Sequence, residues 1–286
     1  IAKQLNCMAQ EIIFTSSGTE ANNWILQNAV KKIGIKRIIT SKMEHHAVVY
    51  PILALQKEFG IEVEFLKVLP NGQVDYLQLT ALLDSHTPTL VSLMHVNNET
   101  GVVLDIERVG ELCKLHKAYF HSDTVQSMGK TELDLQLLNI DFLVASGHKF
   151  HGPKGVGFAF IKRNTPIAAL LVGGEQEKGL RAGTEAIHQI AGIAKALELV
   201  YEKLESERNS IFEIKKYNGW IFGYASQNHW TQVLAYGREK YRFYNPILQN
   251  TKHVQDLRKQ LQEESIPIFS VVVFFGDCVL KEINFV

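Results

Sequence analysis

Short apolar segments rich in β-branched and aromatic residues alternate with helical segments from the start of this chain to about residue 200. Most of the apolar segments are continuous rather than alternating, which is typical of strands buried on both faces of a sheet. This alternation predicts an α/β fold with a mostly parallel seven-stranded sheet and helices on both faces. The predicted strands are residues 11–16, 37–41, 62–68, 89–96, 118–123, 141–146 and 155–162.

The residues that follow the first predicted strand favour a binding site for an anion. Ligands of parallel sheets bind beyond the carboxyl ends of the strands. Here the sequence TSSGTEAN (15–22) leads small residues and hydroxyls into a helix, whose positive end can hold a phosphate. A simple helix cap by Ser17 or Thr19 is the alternative. Neither a Walker motif nor a G-x-G-x-x-G motif is present, so a nucleotide is not specifically indicated.

Polar residues also follow four other predicted strands. Taken singly, each set has an ordinary explanation as a turn or a solvated loop. Together they would meet at one edge of a parallel sheet, which predicts a common site. They are His45 after the second strand, Asn97, Asn98 and Thr100 after the fourth, Asp123 and Gln126 after the fifth, and Ser146, His148 and Lys149 after the sixth.

This set of side chains fits the chemistry of pyridoxal 5'-phosphate. A lysine amine can bond the aldehyde of that cofactor. A carboxylate can keep its pyridine nitrogen protonated, so that the ring withdraws electrons from a bound substrate. An imidazole can stack on the ring, and hydroxyls with helix-end amides can hold the phosphate.

Residues 1 to about 205 contain six motifs in this order: FTSSGTEANN, EHHAVVYP, HVNNETGVV, HSDTVQSMGK, SGHKFHGPKGVG and LRAGTEAIHQIAGIAKAL. Through these motifs, this part of the chain resembles the large domain of the cysteine desulfurases, in the class V aminotransferase group of fold type I enzymes. This resemblance implies a homodimer that converts L-cysteine to L-alanine. It also implies sulfur transfer through an enzyme cysteine to an acceptor protein, in iron–sulfur cluster or thiolated-cofactor assembly.

The resemblance also implies roles for individual residues. Lys149 would bond the cofactor and Asp123 would face the pyridine nitrogen. His45 would stack on the ring, which makes these three the expected catalytic residues. Gln126 would face the ring hydroxyl. The other residues expected to bind the cofactor are Gly18, Thr19, Asn98, Ser146, His148 and, across a subunit interface, Thr184.

The composition changes near residue 208. Thirteen aromatic residues precede that point and fourteen lie in the last 78 residues, so we place a boundary between about 205 and 211. This gives a first domain at 1–205, which relative to the family is expected to be N-terminally truncated. The second segment, 211–286, lacks the family's persulfide-loop motif, and Cys278 is interpreted as a buried or edge thiol. We therefore expect impaired sulfur transfer.

Residues 211–286 resemble the nuclease-related domain, which is similar to the PD-(D/E)-x-K endonuclease fold. The motifs are FEIKKYNGWIFG, HWTQVL, FYNPILQNTKHVQDLRKQL and IPIFSVVVFFGD, and they imply an incomplete, smaller α/β segment. Glu213 and Lys215 fit the E-x-K part of its magnesium site; an exposed strand of alternating charge is the alternative. Nucleic acid is a predicted partner only through this segment. A non-functional fusion of two gene fragments is the remaining interpretation.

The charge balance and the cysteine content argue against several other classes of protein. The chain has 30 basic and 30 acidic residues, which gives no electrostatic reason to expect general binding of nucleic acids or membrane surfaces. No apolar run approaches the ~20 residues of a membrane span. Three widely spaced cysteines favour a reducing cytoplasm over a disulfide scaffold. Cys113, His116 and His121 lack an evident fourth ligand, so no metal site is predicted.

Overall fold

The computed structural model describes residues 1–207, 210–216, 219–224, 226–234, 239–249, 251–252, 255, 269–275 and 278–284. The chain divides into two compact units, Ile1–Glu202 and Lys203–Val286. Within the described residues, no helix is both long and apolar enough to cross a membrane.

A seven-stranded sheet forms the centre of the first unit. Its strands are β1 (Ile12–Thr15), β2 (Arg37–Ser41), β3 (Glu62–Leu66), β4 (Thr89–Ser92), β5 (Tyr119–Asp123), β6 (Phe142–Ser146) and β7 (Gly157–Ile161). Their order in the sheet is β1-β7-β6-β5-β4-β2-β3. Neighbours among β2 to β6 pair in parallel, whereas β7 is antiparallel to both β1 and β6. The sequence prediction of a mostly parallel seven-stranded α/β sheet is therefore confirmed.

Side chains cap the N-terminal ends of the first four helices. Ser17 accepts a hydrogen bond from the Glu20 N–H, so the first helix begins at Gly18. Asp75 caps the third helix in the same way, by accepting from the N–H groups of Leu77 and Gln78. The helices are α1 (Gly18–Asn28), continued by a π-helical turn (Ala29–Ile33), then α2 (His46–Phe59), α3 (Tyr76–Leu83), α4 (Ile106–Leu115) and α5 (Ile187–Glu207).

Two hydrophobic clusters lie on opposite faces of this sheet. Consecutive residues of β6 alternate between them: Phe142 joins the cluster that contains Trp24 of α1, and Leu143 joins the cluster that contains Val109 of α4 and Ile193 of α5. Both faces of the strand are thus buried, which explains its continuous apolar sequence.

The second unit contains a four-stranded and a two-stranded sheet. In the first, β9, β10 and β11 are antiparallel and β13 is parallel to β9; in the second, β8 and β12 are parallel. Glu213 and Lys215 lie on β8 and Cys278 begins β13, but their side chains are outside the described part of the chain. The strands are β8 (Ser210–Lys216), β9 (Gly219–Tyr224), β10 (His229–Leu234), β11 (Glu239–Tyr244), β12 (Phe269–Phe275) and β13 (Cys278–Asn284).

Candidate functional site

A cavity of about 310 Å³ lies at the carboxyl ends of the parallel strands of the first unit. It brings together nine of the ten residues that the sequence places in the site: Gly18, Thr19, His45, Asn98, Asp123, Gln126, Ser146, His148 and Lys149. The tenth, Thr184, is exposed on the segment before α5 and does not line the cavity. The grouping follows from the fold, because the ends of parallel strands meet at one edge of the sheet.

Asp123 is the buried acid of the cavity. It ends β5 and is 5% exposed. Its Oδ1 accepts a hydrogen bond from the Val125 N–H at 3.0 Å, and its Oδ2 accepts one from Asn22 Nδ2 at 2.8 Å. Burial raises the pKa of the Asp123 carboxyl, while these two hydrogen bonds and the nearby His45 and Lys149 act to lower it. Burial outweighs these opposing groups, so a cationic ligand that favours the ionised form would offset part of the cost of burying the charge.

The start of α1 forms a cradle for an anion. Ser17 Oγ accepts the Glu20 N–H at 3.2 Å, and the N–H groups of Gly18 and Thr19 have no acceptor within the helix. Gly157 of β7 passes directly behind this turn. A Cβ added there would lie 2.8 Å from the carbonyl carbon of Ser17 and 2.5 Å from the Ala145 oxygen, so only glycine permits the approach.

Ser146 and His148 form a hydrogen-bonded pair beside the cradle. Ser146 Oγ lies 3.0 Å from His148 Nδ1. Burial lowers the pKa of His148, and the positive charges of Lys149 and Lys154 lower it further. Near neutral pH the ring is therefore a neutral hydrogen-bonding group rather than a cation.

Lys149 lies on a 3-10 turn (Gly147–Phe150) that follows β6 directly. The neighbouring Phe150 is buried, while Lys149 lines the cavity. The turn ends at His151, in the left-handed conformation with φ 66°. Lys154 follows this turn, is exposed and does not line the cavity. Of the two lysines in this loop, only Lys149 has access to the site.

His45 is held in place as the N-cap of α2. Its Nδ1 accepts the Ala47 N–H at 3.1 Å, so a neutral His45 ring carries its proton on Nε2. The preceding residue, Glu44, is fully buried, and its Oε1 accepts the Met94 N–H at 2.9 Å. Burial raises the pKa of Glu44 to about 8, so this carboxyl is mainly protonated at pH 7.

Two polar residues of the cavity lining were not predicted as site residues: Ser17, which the sequence analysis considered only as a helix cap, and Asn22. Asn22 lies one turn after Gly18 on the buried side of α1 and is 1% exposed. A polar side chain on the apolar face of an amphipathic helix was the available signal. The Asn22 side-chain oxygen lies 3.0 Å from Nε2 of His121 on β5. The sequence analysis considered His121 only as a potential metal ligand.

Comparisons with known proteins agree with this geometry. A family model described as aminotransferase class V matches residues 1–271, which include most of the segment interpreted as nuclease-related. The cysteine desulfurase IscS of Clostridium botulinum (strain Kyoto / Type A2) is 43% identical over 218 residues, covering 75% of this chain and 54% of that protein. This chain thus spans about half the length of the curated relatives it matches.

Solved structures show the same similarity. A NifS-like protein is 39% identical with a TM-score of 0.69, over 73% of this chain and 58% of its own. The structure described as SspA in complex with cysteine is 36% identical with a TM-score of 0.65, over 69% of this chain and 58% of its own.

Proposed function

This chain belongs to the class V aminotransferase family, whose members use pyridoxal 5'-phosphate, and on that premise we propose that it is a cysteine desulfurase-like enzyme. Its reaction would convert L-cysteine to L-alanine and pass the sulfur to an acceptor. The observation that carries the proposal is the grouping of Lys149, Asp123 and His45 in one cavity beside the start of α1. The similarity to SspA, whose structure contains cysteine, supports cysteine as the substrate.

The residues of the cavity fit this cofactor. Asp123 is a buried acid whose surroundings favour a cationic partner, which suits a protonated pyridine nitrogen. The amides of Gly18 and Thr19, with the Ser146–His148 pair, suit the phosphate. The rest of the lining includes the apolar residues Ala47, Met94 and Val125.

Each residue has a task that its position supports. When bound, the cofactor would supply an electron sink for the bonds that break in the substrate. Lys149 Nζ would attach the cofactor and would take and return the substrate's proton. Asp123 would hold the proton of the pyridine nitrogen. His45 would cover the ring, because the Ala47 N–H fixes the orientation of its imidazole.

The assembly that we propose is a homodimer. Thr184 is exposed and lies three residues after Arg181, which is ion-paired to the first turn of α1. In a dimer, Thr184 would reach the phosphate cradle of the neighbouring subunit. Light scattering should give twice the mass of the chain, and Thr184→Ala should weaken cofactor binding. A monomer that binds the cofactor fully would contradict this assembly.

The partner and compartment that we propose follow from the same chemistry. A sulfur-acceptor protein would receive the sulfur removed from cysteine and use it in iron–sulfur cluster assembly or in thiolated cofactors. Cys7 and Cys113 are free thiols, which fits a reducing cytoplasm. We also propose that sulfur transfer is impaired, because the second segment lacks the motif of a persulfide loop.

Product analysis with matched lysine variants tests the proposed reaction. Purified protein given pyridoxal 5'-phosphate, L-cysteine and dithiothreitol is expected to release alanine and sulfide in equal amounts. Lys149→Ala should abolish alanine formation, whereas Lys154→Ala should retain it because Lys154 does not line the cavity. Folded protein that carries the cofactor but forms no alanine would show that the activity is different.

The nuclease-related interpretation of residues 211–286 stays a prediction. Glu213 and Lys215 lie two positions apart on β8, as the E-x-K motif requires. Magnesium-dependent DNA cleavage that is lost in Glu213→Ala would support it, and no cleavage with Mg²⁺ or Mn²⁺ would remove it. A chain with neither activity would fit a fusion of two gene fragments.

A further inference from the structure

A buried chain of hydrogen bonds leads from Asp123 into the sheet. Asn22 Nδ2 of α1 donates to Asp123 Oδ2 at 2.8 Å, and Asn22 Oδ1 lies 3.0 Å from His121 Nε2 of β5. His121 Nδ1 lies 2.9 Å from Ser92 Oγ of β4. Ser92 and His121 are 0% exposed and Asn22 is 1% exposed. The helix α1 and the strands β4 and β5 therefore each contribute one buried residue to a hydrogen-bond network that ends at the Asp123 carboxylate.

When Asp123 is ionised, the chemistry of these groups fixes the direction of every hydrogen bond. A carboxylate only accepts, so Asn22 presents its NH₂ group to Asp123 and its oxygen to His121. His121 must then donate from Nε2 and accept from the Ser92 hydroxyl at Nδ1. Burial lowers the pKa of His121 to about 3, which keeps the ring neutral near pH 7 and preserves this pattern. All three donors point toward Asp123.

We propose that Asn22, His121 and Ser92 are positioning residues that keep Asp123 ionised and correctly oriented for the pyridine nitrogen of the cofactor; this role rests on the proposed function. Hydrogen bonds to an ionised acceptor are stronger than neutral ones, and donors aligned in one direction polarise each other. Burial alone favours the neutral acid of Asp123, which could not hold a proton on the pyridine nitrogen. The chain of donors opposes that tendency.

Other groups around Asp123 contribute charge rather than fixed geometry. His45 faces it from the start of α2 and Lys149 faces it from the turn after β6, and both favour the ionised form. Glu44, just before α2, is an acidic residue that interacts with Asp123, and its raised pKa of about 8 keeps it mainly protonated at pH 7. The Val125 N–H holds Oδ1, whereas Asn22 holds Oδ2. Each carboxylate oxygen therefore has a fixed donor, and the support from Asn22 does not depend on the charge of Lys149.

NMR of the 286-residue chain without cofactor tests the network directly. With ¹⁵N-labelled histidine, His121 should be the neutral Nε2–H tautomer from pH 5 to pH 9. A protonated ring, or an Nδ1–H tautomer, in that range would overturn the proposal. This measurement uses the unmodified protein, so it does not depend on whether a variant folds.

Variants of the network should change the titration of Asp123, read from its ¹³C carboxyl signal and assigned with Asp123→Asn. Asn22→Leu should raise the Asp123 pKa by about one to two units, the usual worth of a hydrogen bond to a charged group. Ser92→Ala should raise it by less. His121→Gln keeps a side-chain N–H donor and should stay closest to the unmodified protein.

Asn28→Leu is the matched control. Asn28 is also buried on α1, but its amide bonds the Trp24 carbonyl, away from the cavity. Its loss should leave the Asp123 titration unchanged. An unshifted Asp123 in folded Asn22→Leu, or an equal shift in Asn28→Leu, would refute the proposal. If Asn22→Leu does not fold, the sign of the Ser92→Ala shift decides.

Cofactor affinity separates this proposal from the proposed function. Asn22→Leu should raise the dissociation constant for pyridoxal 5'-phosphate about tenfold or more, and Asn28→Leu should change it little. If the unmodified protein does not bind the cofactor, the proposed function fails, while the Asp123 titration still decides the network. If it binds and Asn22→Leu changes neither quantity, only the network is wrong.

Discussion

Arg181 forms an ion pair with Glu20, with 2.5 Å between Arg181 Nε and Glu20 Oε1. Glu20 lies in the first turn of α1, next to Thr19, and Ser16 Oγ also donates to its carboxylate. Arg181 lies in the segment before α5 that carries Thr184. The pair therefore ties that segment to the anion cradle, and both side chains are about three-quarters buried.

The Glu20–Arg181 pair should stabilise the fold in a pH-dependent way. Burial alone would raise the pKa of Glu20, but hydrogen bonds from Arg181 and Ser16 bring it below its usual 4.5. Its stabilisation is therefore present above that value and lost as the pH falls through the lower folded pKa. Glu20→Gln should reduce the free energy of unfolding by about 1 kcal/mol at pH 7.

Urea denaturation from pH 7 down to pH 3 measures this effect. Glu198→Gln is the matched control, because Glu198 forms an exposed pair with Lys195 on α5 at 2.8 Å. Exposed pairs contribute little, so this control should change stability less. A Glu20→Gln effect that is the same at every pH would contradict the assignment.

Glu44 should make the protein less stable as the pH rises. Its folded pKa of about 8 is above the usual 4.5, mainly because of burial, so the folded state keeps a proton that the unfolded state releases. The free energy of unfolding should fall between about pH 4.5 and pH 8, at up to about 1.4 kcal/mol per pH unit. Glu44→Gln should flatten this part of the profile. If the free energy of unfolding changes with pH in the same way in Glu44→Gln and in the unmodified protein, Glu44 does not have a raised pKa in the folded state.

Neither described cysteine suits a persulfide carrier. Burial raises the pKa of Cys7 to about 11, with a further contribution from Glu11, and burial also raises the pKa of Cys113. Both thiols are therefore protonated near pH 7 and are weak nucleophiles. Cys7→Ser should leave the rate of alanine formation within about twofold of the unmodified protein, because a protonated thiol contributes little to nucleophilic attack.

Cys278 gives a second test of sulfur transfer. Its interpretation as a buried or edge thiol predicts that Cys278→Ala retains alanine formation with dithiothreitol as the acceptor. Mass spectrometry after incubation with L-cysteine should find no persulfide on the three cysteine-containing peptides. A persulfide on Cys278, together with a lost rate in Cys278→Ala, would reverse the interpretation.

Most strands of the first unit were predictable because burial on both faces leaves a largely apolar sequence, as in β6. The helix α3 is hard to identify from sequence because YLQLTALL shows little polar face, although its cap Asp75 is visible there. The antiparallel direction of β7 was not predicted. The short connection from β6 to β7 was the available signal, since parallel neighbours need a long crossover.

The candidate site was predictable only where its residues follow strands. His45, Asp123 and Lys149 lie at strand ends, and the geometry of a parallel sheet brings such positions together. Ser92 meets His121 because the two residues are paired in the neighbouring strands β4 and β5, whereas Asn22 reaches His121 from α1. That contact depends on side-chain packing between distant segments, which no local pattern encodes.

The most direct test of the central claim is the position of the cofactor on the chain. Protein mixed with pyridoxal 5'-phosphate is reduced with borohydride, digested and mapped by mass spectrometry. The cofactor mass is expected on Lys149; it should remain in Lys154→Ala and should be lost in Lys149→Ala. Attachment mainly to Lys154 or to another lysine, or no attachment to folded protein, would contradict this claim.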